Sequence, residues 1–287
     1  MRLFLHFKCV FLDVLVKLKM TFVYVYGSDR LSLYLNESDY YFEEFQSNGM
    51  SGTIYIGTPK RNKTLSKILV KNNELQFAAN EFFALQIASL LDIHAPKSWF
   101  VLGNEGIAIA NRKFAVGIEF LNGLSKVTDD ILNSEPARKE FIECILLHVC
   151  CNNSDTFQMA VASDNHIIPF DFAECFLTSP FKIVMLLLLK DKADKFMQPI
   201  IANYDYLMQF DSQINFIKNR LLKQYRVISE EEFNETAKLF AQKLVALPHG
   251  KIIDILTPIE EYYSKEVADY YELYLKCMQK NIQGLLK

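Results

Sequence analysis

The chain has 287 residues, a formal net charge of −3 and a hydrophobic content of 51%. A chain of this length can bury a substantial core, in one two-lobed unit or in two small domains. The slightly acidic balance argues against a nucleic-acid-binding surface, because such a surface needs a basic face. The six cysteines form no CxxC pair, which predicts reduced core residues of a cytoplasmic protein rather than zinc ligands.

The first twenty residues are apolar, but Lys8 and Asp13 interrupt the run. The segment is too short and too charged to span a bilayer, and no small-x-small cleavage site follows it. We interpret residues 1–19 as a leader or an extra N-terminal segment. A cleaner strand pattern starts near residue 20, and residues 20–125 are predicted to form a β-rich N-terminal lobe.

Two short alternating segments, Thr53–Gly57 and Leu65–Lys71, predict a β-hairpin. The loop before it, Ser47–Gly52, consists mostly of small residues (SNGMSG), which lets backbone N–H groups approach phosphate oxygens. Lys71 ends the second strand, and an amphipathic helix carrying Glu81 follows. A strand-end lysine that faces a glutamate on the next helix is the ion pair with which kinases hold nucleotide phosphates.

The helix after Lys71 is expected to end near Leu91, because Pro96 prevents its continuation. Two further strands are predicted at Trp99–Leu102 and Ile107–Ala110. The intervening Gly103–Gly106 (GNEG) has the composition of a tight turn, which would make these strands a second hairpin.

Residues 151–174 contain Asp155 and Asp171, on either side of another predicted hairpin. Its turn is expected at 162–166 (ASDNH), and its second strand at 167–170. Antiparallel strands return the chain to its start, so the two carboxylates are expected to meet at the open end. Such a pair suits a divalent cation, a proton-accepting base, or one of each. Ordinary turn sequence and a helix cap are the alternatives for these aspartates.

The rest of the chain, residues 126–287, is predicted to form a mainly helical C-terminal lobe that includes the loop at Asp155. A helix capped by Ser134 leads into that loop, and its His148 is interpreted as a core or half-exposed residue. The apolar stretch at 182–190 is far short of membrane length. Further helices are expected at 193–203, 206–225, 229–247 and 258–286.

Residues 80–114, NEFFALQIASLLDIHAPKSWFVLGNEGIAIANRKF, resemble the core of the HipA-like kinases. Members of that family typically have Asn-Glu, two aromatics, a helix rich in alanine and leucine, and a hairpin that ends in Arg-Phe or Lys-Phe. ILVK at 68–71 is similar to the family's ATP-binding lysine strand. NNSDTFQMA at 152–160 and IIPFD at 167–171 are similar to its catalytic loop and metal-binding aspartate, in the same order. The resemblance covers roughly residues 45–180.

The resemblance implies a protein-kinase-like two-lobed α+β fold: a small antiparallel β lobe with one helix, and a larger, mainly helical C-terminal lobe. It places ATP and Mg²⁺ in the cleft and implies transfer of the γ-phosphate to serine or threonine hydroxyls of a protein substrate. Lys71 would contact the nucleotide phosphates, Glu81 would orient Lys71, Asp155 would accept the hydroxyl proton, and Asp171 would bind Mg²⁺. The phosphate loop would be formed by Ser47, Gly49, Ser51 and Gly52. A regulatory protein, such as an antitoxin, is the other implied partner.

This sequence departs from the family's Asp-x-His-x-x-Asn loop, because Phe157 and Ala160 occupy the histidine and asparagine positions. One Mg²⁺ ligand is therefore missing unless Asn153, Gln158 or Asn165 replaces it. Three alternatives stay open: a pseudokinase that binds nucleotide or a partner, a kinase of lipid or small-molecule hydroxyls, and a noncatalytic interaction protein. The sequence also leaves the acceptor and a toxin or effector role open.

Overall fold

The structure is a computed structural model, and it describes residues 33–45, 53–61, 65–72, 75–107, 112–153, 157–176 and 210–286. Several predicted features lie outside these residues. They are the N-terminal segment 1–19, the phosphate loop 47–52, Asp155, the apolar stretch 182–190 and the helix expected at 193–203.

A curved six-stranded sheet forms the N-terminal lobe, with the strand order β1-β5-β6-β4-β3-β2. Neighbouring strands are antiparallel except for the parallel pair β1–β5, so the sheet departs at one edge from the wholly antiparallel expectation. The strands are β1 (Tyr34–Asn36), β2 (Tyr40–Phe45), β3 (Thr53–Pro59), β4 (Ile68–Asn72), β5 (Ser98–Ile107) and β6 (Arg112–Glu119).

The side chains of β4 alternate between the two faces of this sheet. Ile68 and Val70 are fully buried on one face, in a cluster with Tyr40, Val101 and Ala115. Successive residues of a strand point to opposite faces, so Leu69 and Lys71 lie on the other face. The alternation in the sequence therefore determines that Lys71 points away from this cluster.

Helix α1 (Leu75–Leu90) packs its apolar side against the face of the sheet opposite that cluster and joins the main core. It ends as expected, since Leu91 and Asp92 turn the chain towards Pro96, and Asp92 adopts a positive φ of 55°. The hairpin predicted after it is wrong, because β5 continues through Gly103–Gly106. These residues form a bulge-like irregularity in β5, and the register of its pairing with β6 shifts between Leu102 and Ile107.

The C-terminal lobe consists of helices around a small two-stranded sheet, β7 (Gln158–Val161) and β8 (Ile167–Phe170), which confirms the hairpin predicted there. The lobe and α1 share one continuous hydrophobic core. This two-lobed α+β arrangement agrees with the predicted fold class. The helices are α2 (Asp129–Leu132), α3 (Glu135–Cys150), α4 (Phe210–Gln224), α5 (Glu230–Val245), α6 (His249–Tyr262) and α7 (Lys265–Ile282).

The chain from 258 onwards differs from the single helix that was predicted. Pro258 lies inside α6, and the break comes at Tyr263 and Ser264 instead. The Ser264 hydroxyl caps α7 by accepting a hydrogen bond from the N–H of Val267. Among the described helices, none is both long enough and apolar enough to cross a membrane.

Asn80 on α1 ties the N-terminal lobe to the C-terminal lobe. Its side chain is fully buried, and its amide donates to the carbonyls of Ala173 (2.7 Å) and Cys175 (3.1 Å). Its side-chain oxygen accepts from the hydroxyl of Tyr271 on α7, at 2.6 Å. Because Glu81 is the next residue on α1, these bonds also fix the position of that carboxylate.

We expect Asn80→Ala to lower the free energy of unfolding by about 3 kcal/mol, because buried polar partners left unsatisfied cost about 1–3 kcal/mol each. Tyr271→Phe removes one of these bonds and is expected to cost about 1 kcal/mol. Urea unfolding followed by circular dichroism measures both values. Ser89→Ala, at an exposed position of the same helix, is the control. A wild-type stability for Asn80→Ala would contradict this role.

Candidate active site

Lys71 links two consecutive elements of the N-terminal lobe to a residue 100 positions further along the chain. Its ammonium group forms an ion pair with the carboxylate of Glu81 on α1. The same group lies 3.1 Å from Oδ1 of Asp171, the residue that follows β8 in the C-terminal lobe. The structure thus brings a strand of one lobe, the helix behind it and the end of the second hairpin to one point.

Burial decides the electrostatics of this cluster. Glu81 is 3% exposed at its side chain, whereas Lys71 and Asp171 are 20% and 32% exposed. Burial acts to lower the pKa of Lys71, but the attraction of the two carboxylates outweighs it and raises that pKa, so the lysine is charged. Burial raises the pKa of Glu81 against the attraction of Lys71. The negative charge of the buried Glu81 carboxylate is therefore stabilised by the positive charge of Lys71.

Asp171 is held at both its backbone and its side chain. Its φ of 62° is in the left-handed region, which aspartate tolerates better than most residues. Its backbone carbonyl accepts from the amide of Asn153 at 3.1 Å, and its Oδ2 accepts from Nε2 of Gln158 at 2.9 Å. Its two carboxylate oxygens are thus directed to different partners, Oδ1 to Lys71 and Oδ2 to Gln158.

His148 contacts the residues on either side of the loop that carries Asp155. It is fully buried, and its ring stacks on Phe172 and Phe157, with centroids 4.5 and 5.2 Å away. Nε2 lies 3.1 Å from the carbonyl of Gln158, and Nδ1 lies 3.0 Å from the amide nitrogen of Asn153. A carbonyl can only accept and an amide NH₂ can only donate, so we assign a neutral ring with its proton on Nε2. Burial lowers the pKa of His148 to about 4, in agreement with this state.

The sequence-predicted site residues divide into two groups. The structure brings Lys71, Glu81 and Asp171 into direct contact. The remaining candidates lie outside the described residues, so their placement and roles stay predictions: Asp155 and the loop residues Ser47, Gly49, Ser51 and Gly52.

The candidates for the missing family asparagine can now be compared. Asn165 lies in the turn between β7 and β8, at the opposite end of the hairpin from Asp171. The amide of Asn153 donates to His148 and to the Asp171 backbone. Gln158 alone of the three contacts the Asp171 carboxylate. Ala160 is buried in β7.

The burial of His148 confirms its interpretation as a core residue, but the sequence does not reveal that Asn80, Asn153 and His148 support the site together. Nothing in their local spacing marks them, because their partners lie up to 191 positions away. A cavity of about 1220 Å³ on the molecule includes none of Lys71, Glu81 and Asp171 in its lining.

Comparisons with known proteins agree with the fold. No protein-family model matches the chain, and a comparison with curated proteins finds no match. Among solved structures, the chain is similar to the crystal structure of the Helicobacter pylori proinflammatory kinase CtkA. The TM-score is 0.51 at 10% identity, and the match covers 89% of this chain and 96% of that chain. This likeness shows a kinase-like two-lobed fold, while membership of the HipA-like family stays a prediction.

The buried His148 predicts an acid-sensitive stability. Its pKa is about 4 when folded and near 6.5 when unfolded, so only the unfolded state gains the proton in between. Stability is therefore lost as the pH falls through this window, by about 2 kcal/mol between pH 7 and pH 5. Urea unfolding at the two pH values is the measurement.

His148→Gln should lack this part of the pH dependence, whereas the exposed His249 can be replaced by glutamine with the wild-type dependence retained. An equal loss of stability on acidification in wild type and His148→Gln would refute the assignment.

Proposed function

We propose that this protein is an ATP-dependent kinase of the HipA-like type, which transfers the γ-phosphate to serine or threonine hydroxyls of a protein. The observation that carries the proposal is the contact of one lysine with both Glu81 and Asp171. In protein kinases, a strand lysine paired with a helix glutamate and a metal-binding aspartate form the phosphate-holding set. The kinase-like fold supports the same proposal.

The sheet offers an apolar surface beside Lys71 for a nucleotide base. Leu69 shares the Lys71 face of β4, since the two residues are two positions apart. Its cross-strand partners are Ile56 on β3 and Ile118 on β6, and all three are half-buried. A planar adenine could pack on these aliphatic side chains while its phosphates extend towards the ammonium of Lys71.

Asp171 and Gln158 are the described residues that would hold Mg²⁺. The Asp171 carboxylate is partly exposed, and carboxylate oxygens are the ligands that Mg²⁺ prefers in proteins. Rotation of the Gln158 amide by a half-turn would present its oxygen in place of its NH₂. The donor set therefore fits Mg²⁺, which, when bound, would neutralise the charge on the phosphates.

In this proposal Asp155 accepts the proton of the acceptor hydroxyl. The described residues on either side of its loop, Asn153 and Phe157, are held by contacts to His148. His148 is neutral and fully buried, so we propose that it positions the loop and takes no part in proton transfer. A protein substrate, a regulatory or antitoxin partner and a cytoplasmic location are part of the same proposal.

A nucleotide-binding pseudokinase is the second candidate. It is favoured by Ala160, a buried residue with no ligand atom where the related family has a metal-binding asparagine. Both candidates require ATP to bind, and they differ in phosphate transfer. Two separate measurements therefore distinguish them.

Nucleotide binding is tested by thermal shift with Mg-ATP. A ligand that binds only the folded state raises the melting temperature, so we expect a rise for the wild type and a much smaller one for Lys71→Met and Asp171→Asn. Lys71→Met leaves Glu81 buried without its cation and should lower the melting temperature before ATP is added; the ATP-dependent increment is the result that counts. Lys67→Met, at an exposed lysine just before β4, is the control. A wild type with no increment would end the nucleotide proposal.

Phosphate transfer is tested with labelled ATP, through autophosphorylation and on candidate protein substrates. We expect the wild type to incorporate label, and Asp155→Ala to reduce incorporation by at least about 100-fold, the usual scale for a positioned proton acceptor. Binding of ATP without any incorporation would favour the pseudokinase. Incorporation that is unchanged in Asp155→Ala would remove that residue from the proposed mechanism.

A further inference from the structure

A second group of polar side chains lies outside the Lys71 site. His94 follows α1, Glu140 lies on α3, and His166 lies in the turn between β7 and β8. Each offers one ligand atom, and these atoms all lie within 4.8 Å of one another. Both histidines also line the cavity of about 1220 Å³.

The contacts within this group already bring the three side chains close together. Nδ1 of His166 lies 2.6 Å from Oε1 of Glu140. The other oxygen of Glu140 accepts from the backbone N–H of Ile167 at 2.9 Å, which fixes the carboxylate. The ring of His94 stacks on that of His166, with centroids 3.6 Å apart and planes 18° apart. Two histidines and a carboxylate are thus held together by three separate elements.

Two imidazoles and one carboxylate form a donor set that is typical of zinc. Nitrogen ligands suit Zn²⁺, whereas Mg²⁺ and Ca²⁺ prefer oxygen atoms alone. Zinc lies about 2.0–2.2 Å from such ligands, so its ligand atoms need to be about 3.3 Å apart. His94 is exposed, and Glu140 and His166 are half-buried. Rotation of the exposed His94 side chain can therefore close the remaining distance without moving the core.

We infer that His94, Glu140 and His166 bind one zinc-like divalent transition-metal ion, with solvent completing its coordination. Histidine coordinates as a neutral ring and glutamate as a carboxylate, so coordination through Nδ1 of His166 moves the ring proton from Nδ1, where it joins Glu140, to Nε2. The inference rests on this side-chain cluster and does not depend on the proposed kinase activity.

The position of the cluster indicates what the ion would do. His94 lies shortly after the helix that carries Glu81, and His166 is the residue immediately before β8, the strand that leads to Asp171. An ion held by both histidines would fix the end of α1 against the hairpin of the other lobe. We therefore assign it a structural role: it would restrain the two elements that bring acidic residues to Lys71.

The experiment titrates Zn²⁺ into the full-length chain, stripped of metal by a chelator, with calorimetry as the readout. We expect one site per chain that depends on this cluster. Removal of a ligand should weaken it by at least about tenfold, since even outer partners of metal ligands contribute that much. The variants are His94→Gln, His166→Gln and Glu140→Gln, and the control is the exposed His249→Gln. Co²⁺ in place of Zn²⁺ gives an absorption spectrum that reports nitrogen and oxygen ligands directly.

Loss of one equivalent of Zn²⁺ in the cluster variants, with normal binding by His249→Gln, would support the site. His94→Gln is decisive, because its exposed side chain can be changed without loss of the fold, which circular dichroism checks. Absence of stoichiometric binding, or binding of wild-type affinity in either His94→Gln or His166→Gln, would overturn the inference. Neither result bears on ATP binding, so the two proposals stand or fall separately.

Discussion

The ammonium of Lys71 is the point on which the candidate chemistry of this molecule depends. It compensates Glu81, a carboxylate that is nearly excluded from solvent, and it also contacts Asp171 from the other lobe. A buried charge without a partner costs several kcal/mol, which makes this arrangement sensitive to the loss of one member. Lys71 can remain charged at the junction of the two lobes because both carboxylates lie beside it.

Around this cluster, neutral hydrogen bonds supply the rigidity that ion pairs alone would not give. Asn80 links α1 to the segment after Asp171 and to α7. The tyrosines of α7 continue this pattern, since Tyr274 donates to the carbonyl of Cys150 at the end of α3. Helix α7 therefore holds α1 and the end of α3 in position through these hydrogen bonds, although α7 contributes no side chain to the Lys71 cluster.

Short-range patterns were enough to predict the elements that carry the site. The hairpin β3–β4, helix α1 and the hairpin β7–β8 each follow from alternation or helical periodicity within a few residues. The predictions were wrong where strand pairing or core packing outweighed the local composition of a segment. Gly103–Gly106 has turn composition, yet pairing with β6 continues on both sides and retains it in a strand. Pro258 is tolerated within α6 because its neighbours Ile255, Leu256 and Ile259 are buried in the core.

The sequence by itself determined which residues could take part: a strand-end lysine, a glutamate on the next helix and an aspartate after a hairpin, in a fixed order along the chain. Only the tertiary structure decided that these side chains share one point, that Gln158 contacts Asp171, and that His94, Glu140 and His166 meet. The reason is physical. Local patterns follow from the geometry of neighbouring residues, whereas contacts between residues 10 to 100 positions apart arise from the packing of whole elements against a common core.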